Sequence, residues 1–353
     1  MPKGPPSEVL AALADRGAPI PAEVWGDFWD RLGKQELHPG EALAVLVSLT
    51  TRTPDGASIS ALLQSLRDRN PQPDPPPAPT VNIVGTGGGP STFNLSTASA
   101  FVGAALGARV IKTGSRAYKS RTGSVDLLDR LGVQMTSSYE QTEDLLANVG
   151  IACAGPFVYP RELRLLARTI LPFDMKTMGR FFNVIGPFLA AVPVTRQITG
   201  VSDHSMLPTF EQLASEDPTK DFWLCSNELG ADELLSIVES RVYDSARGEA
   251  FTLKPEEIGL GAGSFDDLLP VQDMDAIVDH FLALISGDGP PAALESIRLN
   301  AAAMAINGEV AKEWPEALGL AADAMSSGEA VRLIEKLRAH AKASAGAGSG
   351  SRA

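Results

Sequence analysis

The sequence predicts an α/β domain with a mostly parallel central sheet flanked by helices, preceded by a small all-helical domain. Three observations carry that prediction. The first 70 residues hold short amphipathic segments and no strand pattern, residues 71–79 are proline-rich, and from residue 80 short apolar runs alternate with helical segments. With 353 residues, 44% of them hydrophobic and 21% charged, the chain is long enough for two packed domains and too apolar for global disorder.

In the N-terminal part, Val9, Leu10 and Leu13 share one face of a helix over 7–16 that stops before Gly17. Val24, Phe28 and Leu32 mark a second over 21–34, with Pro21 in its first turn. A third opens at Pro39, and a fourth over 58–69 carries Leu62, Leu63 and Leu66. A helical segment at 162–170 returns later, so the helical domain is expected over 1–72, completed by about 160–192. The run Pro-Gln-Pro-Asp-Pro-Pro-Pro-Ala-Pro at 71–79 cannot sustain a helix and reads as a stiff connection. Beyond it come a strand at 80–84, a helix at 96–106, a strand at 108–112 and a helix at 124–131. Further strands are expected at 198–201, 222–225 and 235–238, and amphipathic helices at about 273–287, 290–306, 313–326 and 328–342. The α/β domain is therefore placed at 80–158 and 195–343, with 344–353 a flexible tail by composition.

Composition also excludes function classes. A net charge of -13 disfavours a general nucleic-acid-binding surface, although an anion can still bind where positive charge is concentrated. No run approaches the roughly 20 apolar residues of a membrane-spanning helix, and the N-terminus lacks a signal-peptide pattern, so a cytoplasmic location is expected. Cys153 and Cys225 sit in apolar settings, lack metal or redox spacing, and read as buried strand residues.

The strongest local feature is Val84-Gly-Thr-Gly-Gly-Gly-Pro-Ser-Thr-Phe-Asn-Leu-Ser-Thr97. A strand ends, Gly85, Gly87, Gly88 and Gly89 free the backbone, and Asn94, Ser96 and Thr97 introduce a helix. Such a loop brings main-chain N–H groups and a helix N-terminus to an anion. The Ser96 and Thr97 hydroxyls either cap the helix or bind phosphate oxygens. No Gly-Lys-Ser/Thr closes the loop, which excludes a nucleoside-triphosphate P-loop. After the next strand, Lys112-Thr-Gly-Ser-Arg-Ala-Tyr-Lys-Ser-Arg121 holds four cations in ten residues, and Ser124 opens another helix. In open α/β sheets both loops emerge at the carboxyl ends of strands, where ligands gather. A third element, Asp232-Glu233, follows the 222–225 strand; adjacent carboxylates either hold Mg²⁺ or compensate a helix dipole.

Taken in order, these motifs resemble the anthranilate phosphoribosyltransferase family, whose wider class includes the pyrimidine nucleoside phosphorylases. The resemblance runs over nearly the whole chain: the N-terminal helices, Gly85-Thr-Gly-Gly88, Thr92-Phe-Asn-Leu-Ser-Thr97, Lys112-Thr-Gly-Ser-Arg116, Ser120-Arg-Thr-Gly-Ser-Val-Asp-Leu-Leu128, Phe182-Asn-Val-Ile-Gly-Pro187 and Asp232-Glu233. It implies a homodimer formed through the helical domain and an enzyme that uses phosphoribosyl diphosphate, a small aromatic amine and Mg²⁺. Gly85, Thr86, Gly87, Gly88, Asn94, Ser96, Thr97, Lys112, Arg116 and Ser124 would hold the donor, with Ser96, Asp232 and Glu233 as metal ligands. Thr113, Ser115, Phe173 and Arg180 would lie near the acceptor. The chemistry needs no strong acid or base, in keeping with His38, His204, His280 and His340, which form no constellation.

The sequence also departs from the family pattern. Gly-Thr-Gly-Gly-Asp-Gly is the usual transferase loop, whereas Gly89-Pro90 stands here, one residue shorter and without the Asp. Thr113 and Ser115 replace the His and Asn of Lys-His-Gly-Asn-Arg, and Phe173 falls where the family places an anthranilate-gripping arginine. The donor half of the resemblance is thus better preserved than the acceptor half. The shorter loop and Pro160-Arg-Glu-Leu-Arg-Leu-Leu-Ala-Arg168 fit a nucleoside phosphorylase as an alternative, and a non-catalytic relative binding a phosphorylated ligand or nucleic acid is a third.

Overall fold

The computed structural model describes residues 5–114 and 123–349. These fall into two compact units. The first comprises Met1–Pro73, Pro156–Val192 and Met206–Glu216, and the second Asp74–Gly155, Pro193–Ser205 and Asp217–Ala353. Met206–Glu216 thus groups with the helical unit, whereas the sequence assigned it to the 195–343 segment.

The first unit is all-helical: α1 (Glu8–Asp15), α2 (Ala22–Gly33), α3 (Glu41–Thr51) and α4 (Gly56–Arg67), joined by α8 (Arg161–Thr169), the short α9 (Met175–Met178), α10 (Arg180–Val184) and α11 (Gly186–Leu189), and α12 (Leu207–Glu216). Its core forms where the apolar stripes of α2 and α4 face one another. Trp25, Phe28, Trp29, Ile59, Leu62 and Leu63 are almost completely buried. Both tryptophan N–H groups find partners there: Trp25 Nε1 donates to the Ser58 carbonyl at 3.2 Å and Trp29 Nε1 to Ser65 Oγ at 3.0 Å. The returning segment enters this core through Phe182, edge-on to Trp29 at 6.4 Å.

The second unit is built on a seven-stranded sheet of order β3-β2-β1-β4-β5-β6-β7. Its strands are β1 (Val81–Gly85), β2 (Val110–Lys112), β3 (Ile151–Cys153), β4 (Arg196–Gly200), β5 (Asp221–Asn227), β6 (Ser240–Asp244) and β7 (Glu249–Leu253). The first five are parallel, and the last two add an antiparallel edge. Around it pack α5 (Leu95–Ala105), α6 (Ser124–Arg130), α7 (Tyr139–Asn148), α13 (Ile277–Ile285), α14 (Pro291–Asn307), α15 (Trp314–Ser326) and α16 (Glu329–Ser349). Alanines on α5 and α14 allow close approach of their backbones, and Val81, Ile83, Ile198 and Cys225 face the same apolar cluster. Cys153 and Cys225 are buried strand residues, as expected.

Two expectations are corrected. Residues 235–238 are not a strand, because their backbone is claimed from the side: Asn300 of α14 accepts from Leu234 N–H at 3.4 Å and donates to its carbonyl at 2.7 Å, and Ser236 N–H donates to Ser296 Oγ at 3.0 Å. Those groups are therefore not offered to a neighbouring strand. The C-terminal segment from 344 is helical to Ser349 as a continuation of α16, in keeping with its alanine content.

Candidate active site

The strand order reverses between β1 and β4: the chain leaves β1 for β2 and β3 on one side, then crosses to β4 on the other. The carboxyl edge at such a switch point is the expected binding crevice of an open α/β sheet. Gly85 and Gly200 pair in register there, and Lys112 ends the adjoining β2.

The glycine loop is folded against the segment after β5. A Cβ on Gly85 would run into the Asp232 carboxylate, so only glycine lets that side chain lie across the strand end. Gly87 and Gly88 have φ of +71° and +93°, in the left-handed region that favours glycine. The Gly87 N–H then points at Asp232 Oδ2 and donates to it at 2.7 Å. Further on, Thr92 Oγ1 donates to Glu233, 3.3 Å from both carboxylate oxygens. The Asp232-Glu233 pair therefore fastens both ends of the loop. Ser202, just past β4, adds a third tie: its hydroxyl donates to the Gly87 carbonyl at 2.6 Å and its N–H to Thr86 Oγ1 at 3.2 Å. Neither Thr92 nor Ser202 was singled out from sequence as a site residue. The signal available for Ser202 was its position directly after a predicted strand ending on the same edge.

Downstream, Asn94 occupies the N-cap position of α5 without a side-chain cap bond. Ser96 and Thr97 stand in the first turn, and the Thr97 hydroxyl is buried without a hydrogen-bond partner. A buried orphan hydroxyl at a helix N-terminus is the arrangement an anionic ligand would satisfy.

Lys112 is 4% exposed and its ammonium donates to the Thr113 carbonyl at 2.7 Å. Burial lowers its pKa to about 8, against the opposing pull of Cys153, Glu233 and Asp232. Both carboxylates thus lie near enough to act on its charge. Ser124 begins α6, and its hydroxyl lies so close to Gly114 that a Cβ there would collide with it, which brings α6 against the tip of β2. Arg116 and Ser115 lie outside the described residues. Phe173 and Arg180 belong to the first unit and are exposed, Phe173 at 45%.

The carboxylate pair has the chemistry of a Mg²⁺ site. Burial, and then the neighbouring Asp232 charge, hold Glu233 well above the usual carboxylate range. Burial raises Asp232 as well, although the Gly87 N–H opposes it. Two half-buried, mutually repelling carboxylates are relieved by a hard cation. Among the described residues no group of three or more His, Cys, Asp or Glu forms a complete cage, which fits an ion that takes its remaining ligands from water and phosphate.

Residues 77–331 match the glycosyl transferase family, a/b domain. An anthranilate phosphoribosyltransferase of Desulfitobacterium hafniense (strain DSM 10664 / DCB-2) is 31% identical over 328 residues, covering 91% of this chain and 95% of that one. One from Chromobacterium violaceum is 28% identical over 86% of this chain and 88% of its own. Among solved structures, the anthranilate phosphoribosyltransferase of Thermus thermophilus superposes with a TM-score of 0.78 at 27% identity, over 94% of this chain and 98% of that one. The Saccharomyces cerevisiae enzyme, solved in complex with PRPP and Mg, shares the fold at a TM-score of 0.74 and 22% identity, over 90% of this chain and 91% of that one. The chain belongs to the glycosyl transferase family and, within it, to the anthranilate phosphoribosyltransferase family.

Proposed function

We propose that this protein is a Mg²⁺-dependent phosphoribosyltransferase. It transfers the 5-phosphoribosyl group from phosphoribosyl diphosphate to an aromatic amine, anthranilate or a related acceptor, and releases diphosphate. The observation that carries this reading is the glycine loop held at both ends by Asp232 and Glu233, beside the buried Lys112 ammonium, at the switch point of the sheet. Breaking the C1–O bond places positive charge on the ribose and negative charge on the departing diphosphate. Backbone N–H groups of residues 85–88, the first turn of α5 and Lys112 are fixed donors suited to that negative charge. Asp232 and Glu233 would hold Mg²⁺, which supplies further charge neutralisation at the leaving group. Ser96, Ser124 and Arg116 are assigned to the donor, with Ser96 also facing the metal, and Thr113, Ser115, Phe173 and Arg180 to the acceptor. The amine then needs positioning rather than activation. In the cell we assign the enzyme to the cytoplasm as a homodimer paired through its helical unit; among the described residues no helix is long and apolar enough to cross a membrane.

The test is release of diphosphate from phosphoribosyl diphosphate and Mg²⁺ with a panel of aromatic amines that includes anthranilate. Amine-dependent release is expected. Phosphate-dependent cleavage of nucleosides instead would assign the protein to the phosphorylase branch, and donor binding with no turnover would make it a binding protein.

A further inference from the structure

Asn82 lies in the middle of β1 and is completely buried, although its strand neighbours Val81 and Ile83 are apolar core residues. Asparagine is a poor strand former, and burying a carboxamide is costly unless its hydrogen bonds are made. Here they are made, and mostly to one residue. Asn82 Oδ1 accepts from the Thr113 N–H at 3.2 Å and lies 3.3 Å from its hydroxyl, while Asn82 Nδ2 donates to Thr113 Oγ1 at 2.9 Å. A backbone N–H can only donate, so the side-chain atom facing it is the oxygen and the amide orientation is fixed. Nδ2 also donates to Gln197 Oε1 at 3.2 Å, and Gln197 Nε2 continues to Thr199 Oγ1 at 3.1 Å. Asn82, Thr113, Gln197 and Thr199 are each at most 1% exposed, which leaves the network no bulk water to fall back on.

Thr113 is thereby held by its N–H and its hydroxyl, while its carbonyl receives the Lys112 ammonium at 2.7 Å. Resting on the phosphoribosyl reading, we propose that Asn82 is a positioning residue for the donor: it fixes the Thr113 peptide on which the Lys112 ammonium is seated, and so sets where that cation meets the diphosphate. An apolar residue at position 82 would continue the pattern of its neighbours but would leave the Thr113 N–H and hydroxyl unpaired.

Calorimetric titration with phosphoribosyl diphosphate and Mg²⁺ tests this without knowledge of the acceptor. Asn82→Leu should weaken donor binding about tenfold or more, the order of one or two lost charge-assisted bonds. Asn82→Asp should restore affinity to within about threefold, since a carboxylate accepts from both the Thr113 N–H and hydroxyl. Gln197→Leu cuts the same network away from Thr113, so it should lower the unfolding temperature while leaving affinity within about twofold. Equal loss of affinity in Asn82→Leu and Gln197→Leu, or failure of Asn82→Asp to restore binding, would overturn the proposal. If Asn82→Leu does not fold, Thr113→Val, which removes the hydroxyl alone, should weaken binding about threefold; unchanged affinity there would equally overturn it. Absence of donor binding by the unaltered protein would instead refute the phosphoribosyl reading, and the inference with it.

Discussion

Lys112 shows at the residue scale how one buried cation couples binding to pH. Its pKa is about 8 in the folded chain against 10.5 for an ordinary lysine. Donor affinity should therefore fall as pH rises through about 8, because the neutral amine no longer attracts phosphate. Its contribution to stability runs the other way. Between about 8 and 10.5 the unfolded chain holds the extra proton, so that contribution grows with pH over this window. Lys112→Ala should weaken donor binding roughly 10- to 100-fold in calorimetry, the loss of a charge-assisted bond of about 1.5–3 kcal/mol. Glu233 offers the opposite trade. Its folded pKa lies well above 4.5, so the native state holds the extra proton and stability from this group falls as pH rises out of the acid range. Glu233→Gln should raise the unfolding temperature of the metal-free protein near neutral pH, at about 2–4 °C per kcal/mol gained, while weakening Mg²⁺-dependent donor binding. A melting temperature unchanged or lowered would contradict the repulsion described for the pair.

At the scale of elements, the carboxylates are placed by α14 as much as by their own loop. Asn300 holds Leu234 by both N–H and carbonyl, one residue beyond Glu233. Asn300→Leu should cost about 1–3 kcal/mol in chemical denaturation, the penalty for buried unpaired backbone groups, and should weaken Mg²⁺-dependent donor binding by displacing the pair. The same contacts explain what could be read in the sequence. Residues 235–238 have strand-like composition, and nothing local reveals that Asn300 and Ser296, some sixty positions away, satisfy that backbone instead. β6 and β7 escaped notice because an antiparallel edge with exposed residues lacks the continuous apolar run of the parallel strands. The glycine loop and the β2 tip were legible, since glycine at a strand end and a lysine closing an apolar run are local signals. Asn82 and Ser202 were not, because a single polar residue acquires its meaning only from the strand beside it.

For the whole molecule, each unit owns a separate core, and the effects of core mutations should differ accordingly. Trp29 is 2% exposed, packs against Phe28 and Phe182, and donates to Ser65. Trp29→Ala should cost the helical unit roughly 3–5 kcal/mol, measurable as a lowered first transition in calorimetric melting. The bonds that close the glycine loop differ in kind: they join positions 145 and 141 residues apart. The two tryptophan bonds of the helical core span 33 and 36. Contacts between distant positions form slowly, because a long stretch of chain must be brought to order before they reward it. On dilution from denaturant, fluorescence from Trp25 and Trp29 should therefore recover ahead of the capacity to take up phosphoribosyl diphosphate. A newly made chain would accordingly pass through a stage that already looks structured to an optical probe yet cannot engage its donor, and ligand capture becomes the clock for the last step of assembly.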